Sequence, residues 1–71
     1  MFDRISLDPD ICNGKPCIRG MRFPVSQIID LVAAGNSFDQ ILRDFPDLEE
    51  ADVRQALGYA AYLTREEWVS L

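Results

Sequence analysis

The sequence predicts a mainly α domain: a short N-terminal β-hairpin followed by a three-helix bundle of the helix-turn-helix kind. Three observations carry this. Residues 1–24 mix a short alternating run, Ile5-Ser6-Leu7, with dense turn signals. Three later segments space their apolar residues as helices do. The connections between those segments are only two to four residues long.

Taken in order, Ile5-Ser6-Leu7 reads as a half-buried strand. Asp8-Pro9 ends it, because Asp favours turns and Pro removes a ladder donor. The run ICNGKPCIRG then carries Asn13-Gly14, Pro16 and Gly20, a long structured loop with Asn-Gly as its strongest turn signal. Met21-Arg22-Phe23 reads as the second strand, stopped by Pro24.

A first helix is predicted from about Val25 to Ala34, with Ile28, Ile29, Leu31 and Val32 on one face. Gly35-Asn36 signals its end, since Gly accepts a left-handed conformation without steric cost. Ser37 and Gln40 form a capping-box pattern for a second helix, whose apolar face is Ile41, Leu42 and Phe45 and which Pro46 ends. The third helix runs from about Glu50 past Leu63, with Val53, Ala56, Leu57, Ala60 and Ala61 inward. The expected division is residues 1–24 for the hairpin and loop, 25–63 for the bundle, both in one domain, and 64–71 for a helical extension or tail.

Size and composition limit the function. At 71 residues, mass scaling gives a folded surface of roughly 4,500 Å² against about 11,700 Å² unfolded, so about 60% is buried. That supports one thin core and leaves little for a deep substrate pocket. There is no His, which removes the commonest general base and metal ligand. No catalytic residue or cofactor is expected, and an enzyme is the disfavoured class. The N-terminus shows no secretory pattern and no stretch approaches a membrane span, so a cytoplasmic protein without membrane contact is expected. The net charge of −5 is uneven. Residues 1–24 carry one more cation than acid, and residues 25–71 hold three cations against nine acids. An acidic surface opposes non-specific binding to nucleic acid.

The run Cys12-Asn-Gly-Lys-Pro-Cys-Ile-Arg-Gly-Met-Arg-Phe-Pro-Val25 resembles a bacterial family known as the domain of unknown function numbered four-three-three. Gly14, Lys15, Pro16, Ile18, Arg19, Gly20, Arg22, Pro24 and Val25 stand at the family's pattern positions, and so do Gly35, Phe45, Pro46 and Leu48. The resemblance covers about residues 4–62. It implies a homeodomain-like helix-turn-helix behind a hairpin, and an antitoxin encoded beside a PIN-like nuclease toxin. Met21 replaces the usual Thr. Glu49 replaces a capping Thr or Ser, which predicts a third helix that starts at Asp47 or frays.

Several residues are candidates for binding. Lys15, Arg19 and Arg22 suit an acidic partner or a phosphate; equally, the arginines suit pairing with the acids of residues 25–71. Gly14-Lys15 lacks the spacing of a phosphate loop. Cys12 and Cys17 supply two ligands where zinc needs four, so they read as small buried thiols and no metal is expected. Tyr62, Arg65, Trp68 and Leu71 are candidates for an anchor on the toxin, or for a cap on the core in the case of Trp68. Arg43 and Arg54 flank the tight turn and are the candidates for DNA. The acids Asp47, Glu49, Glu50 and Asp52 stand where such a helix meets base edges, so DNA binding is expected only weakly or as part of a complex. Ile5, Leu7, Met21 and Phe23 are candidates for a homodimer through the hairpin, because a two-stranded hairpin alone is marginal. Two functions remain open: an antitoxin that neutralises a PIN-like nuclease, or a helix-turn-helix regulator of transcription, possible also as part of the antitoxin complex.

Overall fold

The computed structural model describes residues 2–65. A two-stranded antiparallel sheet pairs β1 (Ile5–Ser6) with β2 (Cys17–Ile18). Three helices follow: α1 (Val25–Ala33), α2 (Phe38–Asp44) and α3 (Glu50–Leu63). The mainly α fold with an N-terminal hairpin is therefore the one expected. Among the described residues no helix is long and apolar enough to cross a membrane.

The second strand differs from the expectation. It is Cys17–Ile18, and Met21-Arg22-Phe23 forms no strand. Ile18 is wholly buried and lies opposite Ile5 in the ladder, while its N–H donates to the Phe23 carbonyl at 3.0 Å. Phe23 and Pro24 thus flank the buried pair on its other side, where Cys17 and Pro24 form a single bridge. Burial decides the strand: three residues of alternation carry less free energy than sinking Ile18 into the core. The turn that returns the chain has Arg19 at φ +45° and Gly20 at φ +73°, closed by Met21 N–H donating to Ile18 carbonyl at 2.8 Å. Two successive left-handed residues are the mark of a tight hairpin turn. A Cβ at Gly20 would meet nothing within 4 Å, so the cost of Gly20→Ala is conformational. We expect it to destabilise by about 1 kcal/mol, read as a thermal midpoint lower by roughly 4–8 °C.

The helices end as their sequences dictate. Pro24 precedes α1, and the Val25 N–H donates to the Pro16 carbonyl at 2.9 Å, tying the loop to the helix start. At its end, Gly35 takes φ +95°. Asn36 N–H then donates to Leu31 carbonyl at 3.1 Å and Gly35 N–H to Val32 carbonyl at 3.0 Å. Those two bonds are a Schellman motif, which satisfies carbonyls that the last turn leaves free. Ser37 caps α2 by accepting from the Gln40 N–H at 3.1 Å. Leu48 closes the turn between α2 and α3, 5% exposed, with its N–H donating to the Phe45 carbonyl at 2.9 Å.

The helix α3 starts at Glu50, with Glu49 as the capping residue. The expected start at Asp47 or frayed first turn is thereby corrected. The helix start carries a capping box, in which the Asp52 carboxylate accepts from the Glu49 N–H at 2.8 Å. That satisfies one of the free donors at the helix start without a Ser or Thr.

The core joins all the elements. Ile18, Val25, Ile28, Ile41, Leu48, Val53 and Ala56 are its buried members. Of the residues expected inward on α3, Leu57 packs against this core, Ala60 is half-buried, and Ala61 is exposed. Edge-to-face contacts of Phe23 with Phe45 and Phe2 with Tyr59, centroids 5.1 and 5.3 Å apart, fasten the hairpin region to the helices.

Candidate functional site

The most unusual chemistry lies where the hairpin meets the start of α3. Asp52 is a fully buried acid. Its neighbours come from two distant parts of the chain. Arg4 reaches it from beside β1, with Nη1 3.0 Å from Oδ1. Arg19 reaches it from the hairpin turn, with Nη2 2.8 Å from Oδ2 and Nε 3.0 Å from Oδ1. Arg4 also donates to the Glu49 carboxylate at 2.6 Å, and Arg19 to the Asp47 carbonyl at 2.8 Å.

A buried carboxylate is tolerated only when its charge is answered and its lone pairs are filled. Here two guanidinium groups and a backbone N–H do both. Burial alone pushes the Asp52 carboxyl up; the Arg19 hydrogen bonds, the Glu49 amide and Arg4 outweigh it and hold it below its ordinary 3.8. The partners shift the other way. Arg4 is raised mainly by Glu49 and then by Asp52, and Arg19 mainly by Asp52. Arg19 holds its left-handed backbone, rare for a side-chain-bearing residue, with its N–H on the Arg4 carbonyl at 2.9 Å and its guanidinium on Asp52. A second clamp lies beside the first. The Arg4 N–H donates to Gln55 Oε1 at 2.9 Å, and Gln55 donates to Asp3 at 2.6 Å. The Gln55 bond is the main cause that lowers the Asp3 carboxyl.

The sequence candidates fall into separate places. Arg19 is spent on Asp52, whereas Lys15 and Arg22 are exposed. Arg54 pairs with Glu50 one turn back at 2.8 Å and lies over the Phe38 ring, 5.5 Å from its centroid. Arg43 is exposed in the last turn of α2. Ile5, Met21 and Phe23 pack against the core, and Leu7 alone of the four hairpin candidates stands out, 64% exposed. The outward Ile5 N–H is already taken by the Phe2 carbonyl at 3.1 Å. Cys17 is buried and Cys12 half-buried. Burial, and then the neighbouring Cys12 thiol, push the Cys17 thiol up, which makes it a poor nucleophile. Among the described residues no three His, Cys, Asp or Glu side chains gather as a metal site would require.

A different surface opens at the other end of α3. Tyr62 and Leu63 are 53% and 60% exposed, and Arg65 is exposed beside them. Tyr62 rests one side on Phe2, ring centroids 5.8 Å apart. Next to them an apolar groove of about 460 Å³ runs between α1 and α3, walled by Val25, Ile29, Tyr59 and Leu63 with Lys15 at its margin. The candidate anchors Trp68 and Leu71 lie outside the described residues.

Sequence reasoning missed Asp52, Arg4 and Gln55 as partners. The signal for Asp52 was present in part: an acid three residues after Glu49 is a capping-box spacing. Nothing local marks Arg4, which lies 48 residues away from Asp52.

The model of a family described as "Protein of unknown function (DUF433)" matches residues 5–60. The chain is 39% identical over 56 residues to the uncharacterized protein y4eO of Sinorhizobium fredii, covering 79% of this chain and 25% of that one. It is also similar to the crystal structure of a DUF433 member from Anabaena variabilis, with a TM-score of 0.78 and 26% identity. That match covers 87% of this chain and 60% of the solved one. The chain therefore spans a quarter of the first relative and three fifths of the second.

Proposed function

The chain belongs to the DUF433 family, and from that premise we propose that it is a partner-binding module, an antitoxin that neutralises a PIN-like nuclease. The observation that carries this reading is the contrast between the two ends of α3. The end that faces DNA in a helix-turn-helix protein is acidic, and its cations are consumed: Arg4 and Arg19 by Asp52, Arg54 by Glu50. The other end presents Tyr62, Leu63 and Arg65 to solvent beside an apolar groove. Exposed apolar patches with aromatic members mark protein partners. In this reading the partner surface is that end of α3 with the residues that follow it. Arg65 supplies a cation suited to the acidic, metal-binding centre of such a nuclease, and Trp68 an anchor.

The test is recovery of the tagged chain from its native host, with identification of what it carries. A PIN-like nuclease is expected in stable complex, inactive on RNA until the chain is removed. If none is found, or if the bound nuclease stays active, the reading fails. In parallel, the chain alone is expected to give no salt-sensitive shift of duplex DNA containing its own promoter. A sequence-specific shift that weakens with salt favours the alternative, a transcriptional regulator reading DNA through Arg43 and Arg54.

A further inference from the structure

The two cysteines of the chain bracket one loop, and both are free thiols. Cys12 opens a tight turn in which Cys12, Asn13 and Gly14 take φ +52°, +58° and +81° in succession. Left-handed backbone is uncommon for residues that carry a side chain. Two backbone bonds hold it here: Gly14 N–H donates to the Ile11 carbonyl at 3.0 Å, and Lys15 N–H to the Cys12 carbonyl at 3.1 Å. The second bond folds residues 12–15 back on themselves, so only Pro16 stands between the closed turn and Cys17. Cys17 is fixed in β2 opposite Ser6 and is 1% exposed. Its thiol has the Cys12 thiol as a side-chain partner. Cys12 is half-buried, and is the one of the two that solvent reaches. The residues between them make contacts elsewhere. Lys15 and Pro16 line the groove between α1 and α3, and the Pro16 carbonyl holds the Val25 N–H at the start of α1.

We propose that Cys12 and Cys17 form an oxidation site, closed to a disulfide by a hydroperoxide, which locks the loop that walls one side of the groove. The Cys12 sulfur takes one peroxide oxygen and becomes a sulfenic acid, while the O–O bond breaks and the rest of the peroxide leaves as water or an alcohol. The Cys17 sulfur then attacks the Cys12 sulfur. The S–S bond forms, the S–O bond breaks, and the oxygen leaves as water with the Cys17 proton. Two thiols give up two electrons, and one peroxide takes them. Burial, and then Cys12 itself, hold the Cys17 thiol protonated, so closure is the slow step and quickens as pH rises. The inference stands whether or not the partner of the chain is a nuclease.

To test this, the reduced full chain is treated with hydrogen peroxide, quenched with N-ethylmaleimide in denaturant and weighed intact. The expected product is a single chain lighter by two hydrogens, free of maleimide, and restored by dithiothreitol. Cys12→Ser is expected to take up one maleimide after the same treatment, since Cys17 then has no partner. Two nearby cysteines can also join in an unfolded chain, so the folded geometry is tested by equilibrium with glutathione. The effective concentration of the pair is expected to be about tenfold or more higher in the folded chain than in urea. By linkage, the oxidised chain then unfolds at a higher temperature than the reduced one. Wild-type thiols that still take up maleimide overturn the proposal. So does a sulfinic acid at Cys12 without a link, or a link that joins two chains. An effective concentration no higher than in urea overturns it as well, because the fold then holds the thiols apart. These readouts use the wild-type chain and do not depend on how Cys12→Ser folds.

Discussion

Asp52→Ala is expected to destabilise the protein by about 3 kcal/mol, the scale for removing one partner from a buried charge network. Domains of this size have only roughly 4–11 kcal/mol in total. The thermal midpoint should fall by more than about 12 °C. The reason is specific to this acid. Asp52 is fully buried, answers two guanidinium groups, and supplies the cap of α3 through the Glu49 N–H. Its loss leaves Arg4 with the Glu49 carboxylate alone and Arg19 with the Asp47 carbonyl alone, and loosens the hairpin turn in which Arg19 takes a left-handed conformation. Asp52→Asn keeps the shape and an oxygen for the cap but removes the charge, so it should cost less than Ala.

The acid limb of stability tests the same network. The folded carboxyl of Asp52 lies below its ordinary 3.8, so the unfolded chain takes up the proton first as pH falls. Its contribution is present in full above about pH 5 and is lost as pH drops through the lowered folded value. Thermal melts of wild type and Asp52→Asn should therefore differ most at neutral pH and converge under strong acid. Equal differences at every pH would show that the charge of Asp52 contributes nothing.

Ile28→Ala is expected to cost about 3 kcal/mol, with Ile28→Val near 1 kcal/mol. Ile28 is fully buried on α1, the helix that shares the largest helix–helix interface with α3. A domain this small has no second layer to collapse into the space. Chemical denaturation should show a lower midpoint with an unchanged slope for both variants. Ile29, on the neighbouring face and lining the groove, should lose less on truncation to Ala, because part of its surface is already in contact with water. A loss at Ile29 as large as at Ile28 would place it in the core and close the groove.

Much of the fold was legible because its causes are local. Ser37 and Gln40, the Gly35-Asn36 stop and the apolar spacing inside each helix, around Ile28, Ile41 and Val53 in turn, act within a turn or two of the chain. The candidate site was legible only in part. The arginine-rich loop admits two readings in the sequence, binding a partner or pairing with the acids of residues 25–71. The structure gives Arg19 the intramolecular one and leaves Lys15 and Arg22 exposed. The acids at the start of α3 looked alike in sequence, all suited to the helix dipole. Only Asp52 is buried, while Glu49 and Glu50 remain in water. Position on the helix, set by which face meets the hairpin, separates them.

The sequence by itself determined the mainly α class, the ends of α1 and α2, and the uneven charge between hairpin and bundle. Those follow from periodicity, turn chemistry and counting. The tertiary structure alone decided that Ile18 and not Met21–Phe23 pairs with Ile5, and that Asp52 becomes the anchor for Arg4 and Arg19. The ion pairs join residues 33 and 48 positions apart. Such contacts form only when the whole core closes, because burial is what makes the strand choice favourable and the ion network necessary.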